Sequence, residues 1–318
     1  MKKIHFGVIG CGSIAKKGFI PAILKSNNAK LVAVASRNKK NALSFSKFFK
    51  CDAEDNYESL INRHDIDAIY IATIPSTHEE IIISAANHGK HILCEKPLTY
   101  SYNSAKNIVN HCKKRNVAIL EGFMYQFHSQ HQIIKKIILD NQIGKPMLFT
   151  ANFGFPPFDK DNFRNKNELG GGVLLDAGCY TIHAARKFFQ REPINIHSII
   201  NKNSEGLDIQ GIVTLDFGNG QAAQLSFGFN NSYRNNYSIW GENGHITLKR
   251  AFSIPEDYQS EIIIERLGKE EKILCEKDNH FLKEIDYFSN KILLNDLIFD
   301  SHIDIINQYK IIDKIKNK

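Results

Sequence analysis

The residues of this chain best suited to acid–base chemistry are a lysine, Lys96, and a tyrosine, Tyr180. Tyr180 lies four residues after Asp176 and three residues before His183. Residues at this spacing share one face of a helix, so the sequence predicts that these three side chains lie together. A phenol can donate a proton, and an amine can polarise a substrate oxygen. The pattern predicts Lys96 and Tyr180 as catalytic residues, with Asp176 and His183 binding a substrate.

Each of these helix residues also has a structural interpretation. Tyr180 could pack in the core with its hydroxyl satisfied, and His183 could be a core histidine. Asp176 could instead bind a backbone group of the preceding turn, Gly170-Gly171-Gly172. Those three glycines are expected to let the chain pass close to a nicotinamide ring and to aim the helix.

A second glycine-rich turn predicts where a dinucleotide binds. It follows a buried strand pattern at Ile4–Ile9, opens a helix and reads Gly10-Cys11-Gly12-Ser13-Ile14-Ala15. In such a motif the first glycine makes the turn and the second lets the backbone approach the pyrophosphate. Ala15 allows the helix to pack closely, so that its N-terminal N–H groups face the phosphates. The alternative is an ordinary tight turn between a strand and a helix.

The residues after the second strand indicate which dinucleotide is preferred. An Asp or Glu there would bind the ribose 2′-hydroxyl of NAD, but the chain has Ser36-Arg37-Asn38. A hydroxyl and a guanidinium suit a 2′-phosphate, so NADP(H) is preferred and NAD(H) stays possible. The alternative for Arg37 is a solvated residue at a helix entry.

Further cofactor contacts are expected where later strands of the same sheet end. Thr73, Pro75 and His78 follow one such strand, and Glu95 and Lys96 follow the next. Ligands of open α/β sheets bind at the carboxyl ends of the strands. His78 could equally be a surface residue of a helix.

Alternating strand and helix patterns over residues 1–122 predict an α/β fold, a doubly wound parallel Rossmann sheet that binds the dinucleotide. From residue 123 to 318 alternating apolar residues predict a C-terminal α/β domain with a large, open, mainly antiparallel sheet. That domain is expected to bind substrate and to mediate oligomerisation, as a homodimer or homotetramer. The last predicted helix, about residues 303–316, could pack back on the first domain.

Composition restricts the function classes. The net charge of +7 is modest and spread along the chain, which argues against a nucleic-acid partner. The six cysteines have no metal-ligand spacing, so the sequence predicts no metal and a reducing compartment. No later run approaches the roughly 18 apolar residues of a membrane helix. We therefore expect a cytoplasmic protein without a membrane partner.

With these motifs in place, the chain resembles the glucose–fructose oxidoreductase/inositol dehydrogenase (Gfo/Idh/MocA) family over its whole length. The resemblance implies a Rossmann domain and an open-sheet substrate domain, with Lys96 matching the lysine of the family's Glu-Lys-Pro motif and a Lys–Pro bond that is often cis. Many members have a histidine at the position of Tyr180. Tyrosine there resembles the branch of nucleotide-sugar 3-ketoreductases and dihydrodiol and xylose dehydrogenases.

Other stretches resemble the deoxysugar 3-ketoreductases in particular. They are Phe153-Gly154-Phe155-Pro156-Pro157, Asn162-Phe163-Arg164 and Ser253-Ile254-Pro255. The chain departs from its relatives at Gln126 and Ser129, where Arg and Pro are usual, and at His183, where sugar-oxidising members often have Asn. These departures bear on the identity of the substrate and leave the chemistry unchanged.

The resulting hypothesis is an NADP(H)-dependent oxidoreductase that transfers hydride to or from a ring carbon of a sugar, as a nucleotide-sugar 3-ketoreductase. Tyr180 would protonate the nascent alkoxide while Lys96 stabilises charge. Arg164 and Tyr125 join the expected substrate-binding residues, Arg164 for a phosphate or hydroxyl. The alternatives are a sugar or trans-dihydrodiol dehydrogenase and, from another class, a non-catalytic dinucleotide-sensing regulatory protein.

Overall fold

The computed structural model describes residues 2–317, apart from the side chain of Phe299. Its contacts divide the chain into two compact units. The first unit contains the N-terminal part up to Phe123 and the segment Phe281–Lys310. The second unit contains Met124–His280 and the chain from Ile311 onward. The assignment of residues 1–122 and 123–318 to separate functional domains stays a prediction.

The first unit is built on a parallel sheet of six strands in the order β3-β2-β1-β4-β5-β6. The strands are β1 (Ile4–Ile9), β2 (Ala29–Ala35), β3 (Asp52–Glu54), β4 (Ala68–Ile71), β5 (His91–Glu95) and β6 (Ile119–Gly122). β1 and β4 are almost wholly buried because helices cover both faces of such a sheet. The predicted doubly wound Rossmann sheet is confirmed.

Short helices follow most of these strands. They are α1 (Ile20–Ile23), α2 (Lys39–Phe49), α3 (Tyr57–Ile61), α4 (His78–Asn87) and α5 (Tyr102–Lys114). Asn38 and Ser101 cap α2 and α5 by accepting a hydrogen bond from a first-turn N–H group. A serine just before a helix predicts an N-cap, but Ser76 lies in a 3₁₀ turn, Pro75–Thr77, that precedes α4, and it makes no capping hydrogen bond. A π-helical turn, Ala15–Phe19, precedes α1 just before Pro21, which has no N–H to donate.

The second unit is built on an eight-stranded sheet in the order β14-β13-β12-β11-β7-β10-β9-β8. The strands are β7 (Pro146–Gly154), β8 (Asn195–Lys202), β9 (Asp208–Gly218), β10 (Gln221–Gly228), β11 (Arg234–Gly241), β12 (His245–Leu248), β13 (Glu261–Arg266) and β14 (Lys269–Leu274). β7 and β10 pair in parallel and all other neighbours are antiparallel. The dipeptide Asn219-Gly220, whose sequence predicts a tight hairpin turn, joins β9 to β10, with φ of 55° and 74° at these residues.

The remaining helices are α6 (Ser129–Leu139), α7 (Cys179–Phe189), α8 (His280–Leu293) and α9 (Phe299–Lys316). A π-helical turn, Leu174–Gly178, leads directly into α7, and together we call them the central helix. The central helix covers one face of the eight-stranded sheet at β7, β9 and β10. Alternate residues of β9 are buried beneath it, including Val213 and Leu215. The opposite face leaves Trp240 54% and Ile212 57% exposed, as expected for an open sheet.

Within residues 2–317, none of the helices has both the length and the apolar composition that crossing a membrane requires.

Candidate active site

The glycine-rich turn after β1 has the geometry that a bound dinucleotide needs. Gly10 has a φ of +105°, and a Cβ atom there would lie 2.5 Å from the carbonyl oxygen of Ala72. Only glycine fits this close passage beside the end of β4. Gly12, Ser13 and Ile14 are exposed, and the nearest atom to a Cβ on Gly12 would be 4.0 Å away. The first N–H groups of the following helix have no partner inside the helix, so the turn fits a pyrophosphate.

The two other residues of this motif contribute through packing. Ala15 is fully buried, as close packing of the helix requires. The Cys11 thiol lies 3.8 Å from the carbonyl oxygen of Ala35, and burial raises its pKa to about 12. Cys11 is therefore a neutral thiol at neutral pH, so we expect it to contribute its backbone to a cofactor site.

Arg37, which the sequence predicts to bind a 2′-phosphate, is exposed at the end of β2. It makes no hydrogen bond or ion pair with any residue in the range 2–317. Ser36 is buried, and its hydroxyl accepts a hydrogen bond from the Asn38 N–H at 3.3 Å. The nearby Lys39 is bound to Asp55 at 2.6 Å. The Arg37 guanidinium is thus available for a phosphate.

His78 ties together two loops of the first unit. It is 1% exposed, its Nδ1 lies 3.0 Å from the Pro97 oxygen, and its Nε2 lies 3.1 Å from the Thr73 oxygen. Burial lowers the pKa of His78, so the ring is neutral and donates to one of these carbonyls at a time. Thr73 also accepts a hydrogen bond from the Thr77 hydroxyl at 2.8 Å, and Pro75 is buried. His78 therefore fixes the loops after β4 and β5 and is not a surface residue.

The Glu95-Lys96-Pro97 segment leaves β5 through a cis peptide bond between Lys96 and Pro97. Glu95 is 8% exposed and accepts a hydrogen bond of 2.5 Å from the Tyr70 hydroxyl. Burial raises the pKa of Glu95, while the Tyr70 bond and the charge of Lys96 oppose that rise. The hydrogen bond from Tyr70 therefore fixes the Glu95 carboxyl next to Lys96. The Lys96 residue itself is half-buried.

Three buried residues around this segment were not predicted from the sequence. Glu121 accepts hydrogen bonds from the Leu98 N–H at 2.9 Å and from the Tyr309 hydroxyl at 2.7 Å. The third, Glu284 of α8, is fully buried, and neither of its carboxyl oxygens has a hydrogen-bond partner. Burial raises the pKa of Glu284 well above its usual value, and Glu95 adds to the rise. Tyr309 and Glu284 come from the C-terminal segment, so sequence motifs near residue 96 could not reveal them.

The central helix of the second unit is held by an aspartate that the sequence did not single out. Asp208, the first residue of β9, accepts a hydrogen bond from the Leu174 N–H at 2.6 Å. Gly172 has a φ of +102°, and a Cβ there would lie 2.4 Å from an Asp208 oxygen. A Cβ on Gly171 would lie 2.6 Å from the Arg164 oxygen. The glycines thus permit close passage to Asp208 and to the loop of Arg164, and a close passage to a nicotinamide ring stays a prediction.

Tyr180 lies among aromatic side chains on the central helix. It is 4% exposed, and its hydroxyl donates to the Met124 sulfur at 3.5 Å. The rings of Phe153 and Phe252 lie 5.3 and 5.8 Å from the Tyr180 ring, and the ring of Tyr125 also lies 5.8 Å away. An apolar environment strengthens any hydrogen bond that the phenol makes to a substrate oxygen.

His183 and Tyr125 form a pair next to Tyr180. A hydrogen bond of 2.7 Å joins the Tyr125 hydroxyl to Nδ1 of His183, and both residues are buried. Behind Tyr125, Nε2 of His131 lies 3.1 Å from the Ala251 oxygen, so it carries the proton. Nδ1 of His131 then accepts from the Tyr237 hydroxyl at 2.9 Å, and burial lowers the pKa of His131 to about 3. A neutral, fixed His131 therefore supports Tyr125 from behind.

Asp176 and Arg164 are bound to each other. Nε of Arg164 donates to the Asp176 carboxylate at 2.8 Å, and the guanidinium lies over the rings of Phe158 and Phe163 at 5.0 and 4.7 Å. The Asp176 side chain is 10% exposed and that of Arg164 is 28% exposed. The structure thus brings Tyr125, Tyr180 and His183 together, and it places Asp176 beside Arg164 one helical turn earlier.

The first unit has a glycine-rich turn that fits a pyrophosphate, and the second has a buried phenol on a helix. These features are typical of a dinucleotide-dependent oxidoreductase. A family model described as "Oxidoreductase family, NAD-binding Rossmann fold" matches residues 4–123, and one described as "GFO/IDH/MocA C-terminal domain" matches residues 131–247. The chain belongs to the Gfo/Idh/MocA oxidoreductase family, as the sequence motifs predicted. Within residues 2–317, no group of three or more His, Cys, Asp or Glu side chains could hold a metal ion.

Individual relatives cover almost the whole chain. A dTDP-3,4-didehydro-2,6-dideoxy-alpha-D-glucose 3-reductase of Saccharopolyspora spinosa is 34% identical over 293 residues, which span 92% of this chain and 88% of the relative. A D-xylose 1-dehydrogenase (NADP(+)) of Haloferax volcanii is 27% identical, spanning 90% and 88% of the two chains.

Among solved structures, a 3-ketoreductase from Actinomadura kijaniata in complex with NADP and TDP-benzene superposes with a TM-score of 0.95. It is 30% identical to this chain, and the match covers 99% of this chain and 98% of that protein. Structures of that ketoreductase also exist with one tyrosine changed to phenylalanine and with one lysine changed to alanine or glutamate.

Glu284 generates a prediction about stability and pH. Because its folded-state pKa is raised, the folded protein holds a proton that the unfolded chain releases above the ordinary glutamate pKa of about 4.3. Stability is therefore fully present below that pH and falls as the pH rises towards the folded-state pKa. We expect Glu284→Gln, which mimics the protonated form, to reduce this loss by up to about 1.4 kcal/mol per pH unit.

Urea unfolding of both proteins between pH 5 and pH 8 measures this effect. The matched control is Glu205→Gln at an exposed turn, which should leave the pH dependence of the wild type unchanged. Parallel stability curves for the wild type and Glu284→Gln would contradict the prediction.

Proposed function

We propose that this chain is an NADP(H)-dependent oxidoreductase that reduces a ring ketone of a nucleotide-linked sugar at C3. The observation that carries the proposal is Tyr180, a buried phenol on the central helix. The likeness to 3-reductases of dTDP-linked sugars over nearly the full chain supports the same substrate class. The proposed domains are residues 1–122 for the dinucleotide and residues 123–318 for the substrate and for oligomerisation.

Lys96 and Tyr180 are the proposed catalytic residues. The lysine and the tyrosine that were substituted in the Actinomadura kijaniata ketoreductase are separated by the same number of positions as Lys96 and Tyr180. In the reduction, the Tyr180 hydroxyl donates its proton to the alkoxide oxygen. The Lys96 ammonium stabilises the negative charge on that oxygen and on the phenolate that Tyr180 becomes.

The cofactor is held by the turn after β1 and by the ends of the neighbouring strands. NADP(H), when bound, supplies the hydride for the reduction. Backbone N–H groups from Gly10 to Ala15 bind the pyrophosphate, and Ser36 and Arg37 bind the 2′-phosphate. Thr73, Pro75 and Glu95 shape the wall of the site, and His78 acts by holding the loops after β4 and β5.

The substrate residues divide into two groups. Tyr125 and His183 are hydrogen-bonded to each other and position the sugar hydroxyls next to Tyr180. Asp176 also binds the sugar, and it orients Arg164 through their ion pair. Arg164 binds a phosphate or hydroxyl of the substrate.

The second candidate function is a sugar or trans-dihydrodiol dehydrogenase that uses the same residues in the oxidative direction. The likeness to a D-xylose 1-dehydrogenase (NADP(+)) favours it. In that direction the Tyr180 phenolate accepts the proton of the hydroxyl that is oxidised. Turnover of xylose or a dihydrodiol with NADP⁺, at rates above those with any nucleotide-linked 3-ketosugar and NADPH, would favour this function. Binding of NADPH without turnover of any of these compounds would favour a dinucleotide sensor.

We also propose that the protein is a cytoplasmic homodimer or homotetramer. All six cysteines are free, which suits a reducing compartment. The uncovered sheet face presents Trp240, Ile212 and Ile199, which are 54%, 57% and 71% exposed. Ile199 pairs with Ile212 across neighbouring strands, so their side chains lie side by side on this face. Apolar side chains exposed in this way on one face favour an interface between copies.

Replacing Tyr180 by phenylalanine tests the catalytic assignment. Loss of the proton donor should lower kcat by about 10²- to 10⁴-fold, while NADPH affinity should not change. Stopped-flow absorbance of NADPH with a dTDP-linked 3-ketosugar measures the first effect, and fluorescence titration measures the second. Tyr287→Phe on α8 is the matched control and should keep full activity. Full turnover by Tyr180→Phe would refute the assignment.

Replacing Arg37 by alanine tests the cofactor preference. Losing one charged hydrogen-bonding partner of a phosphate should weaken NADPH binding by about 10- to 100-fold and leave NADH binding almost unchanged. Fluorescence titration with both cofactors measures the difference, with Arg115→Ala at another exposed arginine as the control. An equal effect on the two cofactors, or tighter binding of NADH by the wild type, would count against the role of Arg37.

Replacing Trp240 by glutamate tests the proposed interface. A charge in an apolar interface between copies should dissociate the oligomer, so that light scattering after size exclusion reports the mass of one chain. Leu294→Glu, at an exposed residue at the end of α8, should keep the wild-type mass. A wild-type protein that is monomeric at all concentrations would refute the interface, as would an intact oligomer in Trp240→Glu.

A further inference from the structure

The second unit carries a row of aromatic rings that ends in an arginine on each side. The rings of Phe158 and Phe155 lie 5.8 Å apart, and those of Phe155 and Tyr233 lie 6.0 Å apart. The Arg164 guanidinium lies 5.0 Å from the Phe158 ring, and the Arg250 guanidinium lies 5.7 Å from the Tyr233 ring. We call Phe158, Phe155 and Tyr233 the aromatic row. Its members are half-buried or exposed, with Tyr233 43% exposed, so the row is accessible to a ligand.

Both arginines are anchored in the same way. Nε of Arg164 donates to Asp176, and Nε of Arg250 donates to the Ser253 carbonyl oxygen at 2.9 Å. Each guanidinium also lies over a second ring, which for Arg250 is Tyr258 at 5.4 Å. Within the part of the chain that the structure describes, no other hydrogen bond or ion pair engages either guanidinium. The two terminal amino groups of each arginine are therefore left for a ligand.

An arginine held in this way is prepared to bind phosphate. The guanidinium binds two phosphate oxygens at once, and a side chain already fixed by Nε and two rings loses little entropy on binding.

Tyr233 is held in place for stacking. Its hydroxyl accepts a hydrogen bond from Nδ2 of Asn235 at 3.0 Å, and the same amide donates to the Ser253 oxygen at 3.1 Å. Ser253 is also the residue that anchors Arg250. One amide therefore fixes both the exposed ring and the loop that holds the arginine. Stacking on an aromatic side chain contributes about 1–3 kcal/mol per nucleobase and tolerates different bases.

The arginine at each end of the aromatic row is linked to a residue near Tyr180. Arg164 is bound to Asp176, which lies one helical turn before Tyr180. Arg250 lies two residues before Phe252, whose ring is 5.8 Å from that of Tyr180. A ligand that extends from Tyr180 along the second unit therefore has a guanidinium available at each end of the aromatic row.

We propose that the aromatic row and Arg250 form a subsite for the nucleoside diphosphate part of the substrate. The nucleobase stacks on the row, with Tyr233 as the exposed ring, and Arg250 binds a phosphate. The inference rests on the proposed function for its substrate class, and it adds residues that determine selection of nucleotide-linked sugars over free sugars. Arg250 and Tyr233 act in binding and take no part in proton transfer.

Calorimetric titration of the full-length protein with thymidine diphosphate tests this subsite without any turnover. Arg250→Gln should weaken binding of thymidine diphosphate by about 10- to 100-fold, the effect of losing a charged hydrogen-bonding partner of a phosphate. Tyr233→Leu should weaken it by about 5- to 100-fold through lost stacking, and should weaken binding of inorganic pyrophosphate less, since only the nucleoside stacks. Arg234→Gln, at a neighbouring exposed arginine, is the matched control and should bind like the wild type.

The outcomes distinguish a binding role of Arg250 from a purely structural role. They also distinguish failure of the subsite from failure of the proposed function. Unchanged thermal unfolding and NADPH affinity in Arg250→Gln, with weaker diphosphate binding, support the subsite. Equal affinity of the wild type and Arg250→Gln for thymidine diphosphate would overturn it, and so would absence of binding to the wild type. The subsite would also be overturned if Arg250→Gln bound less thymidine diphosphate only because less of the protein was folded. If the subsite effects appear but no nucleotide-linked ketone is reduced, the proposed reaction fails and the subsite stands.

Discussion

Asp208 accepts a hydrogen bond from the Leu174 N–H at 2.6 Å, and this contact fixes the first turn of the helix that carries Tyr180. An N–H group in the first turn of a helix has no partner within the helix, and a carboxylate there also interacts favourably with the helix dipole. Because Asp176, Tyr180 and His183 follow on the same helix, the cap sets the direction of all three. Substitutions at such caps cost about 1 kcal/mol. A small rotation of the helix would matter more, since it would displace the phenol.

The same steric requirement appears in both units where backbone must pass close to other atoms. At Gly172 a Cβ would meet Asp208, and at Gly10 a Cβ would meet the Ala72 carbonyl. Both residues have positive φ, which a side chain would disfavour even if space were present. At Gly10 the close passage brings the turn beside the end of β4, where the cofactor is expected. At Gly172 it brings the helix against its capping residue. Glycine is thus used in one unit to place a ligand and in the other to place a helix.

The sequence predicts those parts of the fold and site that are set by local patterns. The parallel sheet, the open sheet, the turn at Asn219 and the shared helix face of Tyr180 and His183 follow from periodicity and turn chemistry. β3 and α3 were missed because three and five residues are too few to show a period. Asp208 and Glu284 were missed for a different reason. Asp208 binds Leu174, which is distant in sequence, and Glu284 has no hydrogen-bond partner but lies near Glu95, which is also distant in sequence. An acid at the start of a strand or inside an amphipathic helix has no local signature.

The two units hold their charged side chains in different ways. In the first unit, buried tyrosines hold buried acids: Tyr70 donates to Glu95, and Tyr309 donates to Glu121. A phenol can satisfy a carboxylate without adding a second charge to desolvate, so this arrangement suits groups that support a loop and never meet solvent. In the second unit Arg164 and Arg250 are each fixed through Nε, and their terminal amino groups make no hydrogen bond to any described residue. Such groups are costly to bury, which is why they stand at a half-exposed aromatic surface where a ligand can complete their hydrogen bonds. The rigid supports thus hold the loops of the site in place, whereas Arg164 and Arg250 keep donor groups for the substrate that we propose.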